Sequence, residues 1–125
     1  MKIIFLLQFV LFLSCNSIWK DEVKEFIPGT YVRYSKHEFG TEYDTLVISL
    51  QNNAANEFKI LRKWKYERVV DGQTIQPEYK RSFTSGVYNN IFKQLLENET
   101  GDIYSFDIKQ GILFNGPVKY QKASP

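Results

Sequence analysis

From Thr30 onward the chain alternates between apolar and polar positions. Leu46, Ile48 and Leu50 fall on one parity, with Thr45, Val47 and Ser49 between them. That is the period-two pattern of a strand with one apolar face. Thr30 to Tyr34 is rich in strand formers and follows the turn signal Pro28-Gly29. Between Glu57 and Val70, Phe58, Ile60, Trp64, Tyr66 and Val70 share one parity, interrupted by Arg62 and Arg68. Lys59, Lys63, Lys65 and Glu67 take the other. A helix would place Phe58 and Trp64 on different sides, so a strand is predicted. It exceeds the usual strand length, which predicts either a bend or bulge near Arg62-Lys63 or one long curved strand.

Asp71-Gly72 is a hairpin signal. Further strands are predicted over Tyr79–Tyr88, Phe92–Glu97, Ile103–Ile108, Ile112–Phe114 and Val118–Lys122. Asn-, Gly- and Asp-rich turns separate them. Asn90–Asn98 would also suit a single helix, but turn signals on both sides favour a strand. About eight antiparallel strands with short turns predict an up-and-down β-barrel, which leaves no sheet edge. Tyr31, Leu46, Ile48, Trp64, Tyr66, Phe83, Phe106 and Phe114 are the expected inward residues. Their bulk fills a small barrel instead of leaving a ligand cavity.

The N-terminus is ordered differently. Met1-Lys2 is a short positive start, and Ile3 to Leu13 is apolar except for Gln8. A helix of that length rises roughly 16 Å, about half the hydrocarbon thickness of a bilayer. It cannot span as a mature helix and reads as an export signal. Trp19, Val23 and Phe26 then fall on one helical stripe, with Ser17 as the expected cap.

Phe12-Leu13-Ser14-Cys15 resembles the lipobox of bacterial lipoproteins, although Phe12 stands where Leu is commoner. The resemblance implies cleavage before Cys15 and lipid attachment to its thiol. A secreted chain cut near Ser14 or Ser17 is the alternative. Two or more acyl chains hold a protein firmly to a bilayer, whereas one does so only marginally. Lys20-Asp21-Glu22 resembles the short signal that follows the acylated Cys in surface lipoproteins of Bacteroidota-type bacteria. It also reads as a solvated turn of the tether. The expected location is the outer membrane, on its periplasmic face or at the cell surface. The expected parts are a leader (1–14), a lipidated tether (15–27) and a barrel (28–125).

Composition narrows the chemistry. The 125 residues allow one domain and hardly two. Sixteen Lys and Arg stand against 14 Asp and Glu, for a formal charge of +2. This balance is too even for an electrostatic nucleic-acid binder. One Cys excludes an intramolecular disulfide and a cysteine zinc cluster. His37 is the sole histidine and lies in a polar, loop-like stretch, Ser35 to Glu38. A Ser-His-Asp or Cys-His centre would have to use it. No ligand spacing for a metal, no phosphate-cradling Gly-rich loop and no paired carboxylates stand out. The expectation is no enzyme, no metal and no cofactor.

Gly29-Thr30-Tyr31 in the first strand and Tyr120-Gln121-Lys122 in the last resemble small lipocalin-like lipoproteins of Bacteroidota. In those, a Gly-x-aromatic on strand one packs near a basic residue of the final strand. Tyr31 departs from the Trp usual in lipocalins. The resemblance implies a lipocalin-like barrel and leaves its ligand open. Arg62, Trp64, Tyr66 and Arg68 are the candidate binding surface, because aromatics beside cations dominate interface hot spots. Shared parity with Phe58 and Ile60 makes core positions for Trp64 and Tyr66 the alternative. A protein partner at the envelope is expected, in an inhibitor, immunity or complex-subunit role. A carrier of a small apolar ligand is the second expectation. Replacing Cys15 by Ser should move the protein from the membrane to the soluble fraction. Continued need for detergent would contradict lipid anchoring.

Overall fold

A computed structural model describes residues 20–124. The leader, Cys15, Ser17 and Trp19 lie outside the described residues. A short helix, α1 (Glu22–Phe26), precedes β1 (Gly29–His37), β2 (Gly40–Asn52), β3 (Glu57–Val70), β4 (Gln73–Thr74) and β5 (Glu78–Asn89). β6 (Gln94–Glu97), β7 (Ile103–Asp107), β8 (Ile112–Asn115) and β9 (Val118–Ser124) complete the described chain. No described helix is long and apolar enough to cross a membrane.

The sheet order is β2-β1-β9-β8-β7-β6-β5-β3-β4, and β2 also pairs with β3. β4 therefore hangs on the end of β3, and the other eight strands close into an antiparallel barrel. Successive strands of the ring are neighbours, and β9 returns to β1. This is the predicted up-and-down barrel. At the β3–β4 turn, Asp71 (φ 52°) and Gly72 (φ 78°) both take positive φ, as a tight two-residue hairpin requires. β3 runs as one long strand, in continuous register with β5 throughout and with β2 from Phe58 onward. The irregularities fall instead at Gln51 on β2, between Leu50 and Asn52, and at Ala123 on β9, opposite the Thr30/Tyr31 step of β1.

The core fills the ring. Tyr31, Leu46, Ile48, Phe58, Ile60, Tyr88, Leu95, Tyr104, Leu113 and Tyr120 point inward and are buried. Ile27 joins them, with Val23 and Phe26 of α1 packed against the cluster. The helix thus closes the barrel end where β1 begins. Its N-cap is Asp21, whose carboxylate accepts the Lys24 N–H at 3.1 Å, and not Ser17. The same carboxylate accepts Tyr88 Oη–H at 2.9 Å and Lys93 Nζ at 3.0 Å. Burial raises its pKa, but the hydrogen bonds from Lys24, Lys93 and Tyr88 outweigh that and hold it below the ordinary value. Opposite Tyr31 on β9 stands Lys122, with Nζ 4.0 Å from the Phe26 ring centroid and donating to the Phe26 carbonyl.

Three expectations need correction. Phe83 is 67% exposed and points outward, because Thr84, Gly86 and Tyr88 take the inner parity of β5. Gly86 is needed there: a Cβ would stand 2.9 Å from the Leu96 carbonyl oxygen and 3.2 Å from Ile60 Cδ1. Phe114 also points outward, beneath Lys119, since Leu113 fills the inner site. The sixth strand starts at Gln94 and not Phe92. Asn89 Oδ1 accepts the N–H groups of Ile91 (2.8 Å) and Phe92 (3.1 Å), which makes that stretch a turn.

All four buried tyrosines give their hydroxyl proton to an acceptor. Tyr31 donates to the Ile27 carbonyl at 2.8 Å, Tyr88 to Asp21, Tyr104 to Glu97 and Tyr120 to Asp44. Burial pushes each phenol above its ordinary pKa, helped by the acid partner except at Tyr31. A phenol that holds its proton when folded, and would lose it when unfolded, favours the fold less as pH rises. Stability should therefore be fully present below about pH 10 and fall above it. Tyr31, Tyr104 and Tyr120 should each contribute a slope of up to about 1.4 kcal/mol per pH unit. Urea unfolding across alkaline pH measures this, and a level profile to about pH 12 would contradict it.

Candidate functional site

The strands of the barrel are unequal. β2, β3 and β5 have 13, 14 and 12 residues, whereas β6, β7 and β8 have 4, 5 and 4. β6 pairs with β5 only over Gly86–Asn89, and β9 reaches β1 only from Thr30 to Val32. The rest of β1, the first half of β2, the last half of β3 and Glu78–Ser85 of β5 therefore run on past the ring. They stay paired with one another as a flared, four-stranded sheet. This flare stands at the opposite end from α1. Its inner face carries Glu42, Arg62, Trp64, Tyr66, Arg68 and Lys80, because side-chain parity continues from the core.

Asp44 marks the junction of ring and flare. It is 1% exposed yet carries a carboxylate. Arg62 Nε donates to its Oδ1 at 3.0 Å, and Nη2 donates to Oδ2 at 2.7 Å. Tyr120 Oη–H donates to Oδ2 at 2.8 Å. This two-pronged pairing raises the Arg62 pKa further, against its partial burial. The Arg62 side chain is 49% exposed, so its remaining N–H groups are presented to the flare. A second buried acid, Glu97, accepts Thr84 Oγ1–H at 2.8 Å and the Tyr104 hydroxyl. Among the described residues no buried side-chain donor or acceptor lacks a partner.

Above Arg62 the aromatics stack in a column. The rings of Trp64 and Tyr66 lie 5.7 Å apart at 6°, and His37 stacks on Tyr66 at 6.0 Å. Trp64 Nε1 donates to Glu42 Oε1 at 2.5 Å, which fixes the indole. Arg68 lies over Tyr66 at 5.9 Å and Lys80 over Trp64 at 5.1 Å. An open cleft of about 640 Å³ is bounded by Glu42, Arg62, Trp64, Lys80, Arg81 and Ser82. On the outer face a second cleft, about 580 Å³, runs past Tyr43, Lys63, Lys65, Tyr79 and Arg81. There Lys65 lies 5.3 Å from the Tyr43 ring centroid and 5.9 Å from that of Tyr79, and it pairs with Glu67 at 2.9 Å.

All four residues singled out from the sequence stand on this one face of β3. Trp64 and Tyr66 are neither core nor fully exposed, because the ring that would bury them does not extend that far. Glu42, Lys80 and Arg81 escaped notice. They come from other strands, and only the pairings Glu42↔Tyr66, Trp64↔Lys80 and Lys63↔Arg81 bring them in. His37 is exposed and, among the described residues, makes no hydrogen bond to an acid. No group of three or more metal-ligating side chains is found among the described residues. Flat rings, several cations and a single fixed acid suit the holding of an anionic, partly apolar surface.

Replacing Arg62 by Met would leave Asp44 buried and charged with only Tyr120 beside it. The expected cost is about 3–5 kcal/mol in urea unfolding. Trp64→Ala should cost less than half of the about 3–5 kcal/mol typical of a fully buried Trp. A Trp64→Ala loss in the full range would mean that the ring serves the core.

The chain matches no protein-family model, no curated protein and no solved structure. What the site does is therefore read from its own side chains.

Proposed function

We propose that the chain is a lipid-anchored, non-enzymatic module of the bacterial cell envelope that binds another protein. The flared end of the barrel is the binding end. An inhibitor, an immunity factor or a complex subunit would each use it in this way. The observation that carries the reading is the ordered column of Trp64, Tyr66 and Arg62, held open to solvent by a wall that the ring does not cover. Aromatic and Arg side chains fixed before contact lose little freedom on binding. Lys122 lies against Tyr31 and Phe26, the placement that the resemblance to lipocalin-like lipoproteins implies.

Chain direction sets the orientation that anchoring would impose. The described chain enters at Lys20, beside α1, and the flare lies at the far end. A lipid on Cys15 would put the α1 end toward the outer membrane and turn the flare away from it. Five residues reach at most about 17 Å, so the barrel would stay close to the bilayer. An apolar-ligand carrier has less support. The ring interior is taken by Tyr31, Phe58, Tyr88, Tyr104 and Tyr120, and the clefts described lie at the surface.

Affinity capture from envelope extract with the detergent-solubilised full chain tests this. A partner retained by the wild type and lost with Trp64→Ala is expected. Failure to retain any protein, with an apolar molecule recovered from the purified chain by mass spectrometry, would overturn the reading in favour of a carrier.

A further inference from the structure

The ring has no edge, but the flare has two. Among the described residues, Arg33–His37 of β1 pair only with β2, and Glu78–Thr84 of β5 pair only with β3. On the side of β5 away from β3, no described backbone group bonds to Glu78–Thr84. The first partners on that side are Asn98, whose N–H donates to the Ser85 carbonyl, and then β6. The β5 edge is the longer of the two and adjoins both clefts described above.

This edge has a definite chemistry. Lys80 and Arg81 border both clefts, but Lys80 lies over the inner-face Trp64 ring, while Arg81 lies by the outer-face Phe83 ring and opposite Lys63. Tyr79 and Phe83 flank Arg81 on the outer side and are 71% and 67% exposed. Arg81 lies 5.1 Å from the Phe83 ring centroid. Glu78 is already paired with Arg68, at 3.6 Å.

We infer that the free edge of β5 over Glu78–Thr84 takes up an extended, acidic segment of a partner protein as an added antiparallel strand. The inference rests on the protein-binding reading above and names the chemistry of its partner. Main-chain hydrogen bonds supply strand addition, and alternate side chains supply selectivity. A residue opposite Lys80 projects inward, one opposite Arg81 projects outward, and adjacent acids therefore meet cations on both faces. Residues opposite Tyr79 and Phe83 lie against exposed rings. The fitting segment is apolar, polar, acidic, acidic, apolar, read antiparallel from Phe83 to Tyr79. A second copy of this chain fits poorly. Antiparallel self-pairing centred on this stretch would bring Lys80 and Arg81 of one edge against those of the other. Like charges directly opposed are unfavourable in a sheet, and edge cations of this kind deter indiscriminate pairing.

The probe is a short synthetic peptide containing Val-Ser-Glu-Asp-Val, titrated into the full chain by calorimetry. Versions N-methylated at alternate residues, in each of the two phases, test the backbone. An added strand directs alternate N–H groups toward the edge and the others away from it. One phase should weaken binding by about tenfold or more, and the other by less than about twofold. Exchanging the two acids for lysines should abolish binding. Lys80→Glu with Arg81→Glu should lose the acidic peptide and bind the lysine version instead. The two phases behaving alike would overturn strand addition, as would equal binding of the acidic and lysine peptides or no binding at all. Concentration-dependent dimerisation of the chain would overturn it in favour of a second copy. If envelope capture still retained its partner with both charges reversed, the module reading would stand and the edge assignment would fall.

Discussion

Barrel closure with strands of unequal length is the constraint from which the rest follows. A ring can close only as far as its shortest strands reach. β6, β7 and β8 contribute 4, 5 and 4 residues, while β3 contributes 14. The shared half forms a core in which every layer is met from the opposite wall. The excess of the long strands has no opposite wall and stands as an open sheet. Inner parity continues across this boundary without a break, so the same face that buries Ile60 presents Trp64 and Tyr66 to solvent.

The boundary itself is polar. Asp44 joins three strands through Arg62 and Tyr120, and it does so at the level where the apolar core ends. A buried ion pair contributes little net stability beside an apolar pair of equal volume, but it is costly to break singly. Its effect is to define position: the guanidinium is held at the root of the flare with its outer donors available. At the opposite end Asp21 has the parallel task. It caps α1 and draws in Tyr88 and Lys93, so the helix seals the ring where the chain arrives from its N-terminus.

Much of this was legible in the residues, and where it was not, the reason is physical. The alternation of Leu46 to Leu50, the run from Phe58 to Tyr66 and the Asp71-Gly72 turn directly encode long strands and a tight hairpin. The inner parity of β5 was misread because a hairpin register does not survive an interruption. Val70↔Gln73 sets one register across the turn, but after Ile75 to Pro77 the strands resume one residue out of step, with Tyr66↔Glu78. A one-residue slip turns every side chain to the other face. It sends Phe83 outward and brings Lys80 in beside Trp64. Asp44 as the residue at the core boundary was also illegible, since an acid in an alternating strand reads as solvated unless its Arg and Tyr partners are already placed. The four candidate residues on β3 were found together because they share one strand; those from β2 and β5 were missed because they do not.

The described residues thus form a ring carrying a cationic and aromatic sheet, and among them nothing pairs with the outer side of β5 over Glu78–Thr84. Residue-resolved amide hydrogen exchange of the native chain tests that description most directly. In an edge strand alternate N–H groups point toward the neighbour and away from it. Across Glu78–Thr84, protection should therefore alternate, slow for amides bonded to β3 and fast for those facing away. Amides of Phe58–Ile60, flanked by β2 and β5, should be protected without alternation. Uniform protection from Glu78 to Thr84 would mean that the edge is already covered, and would contradict the account.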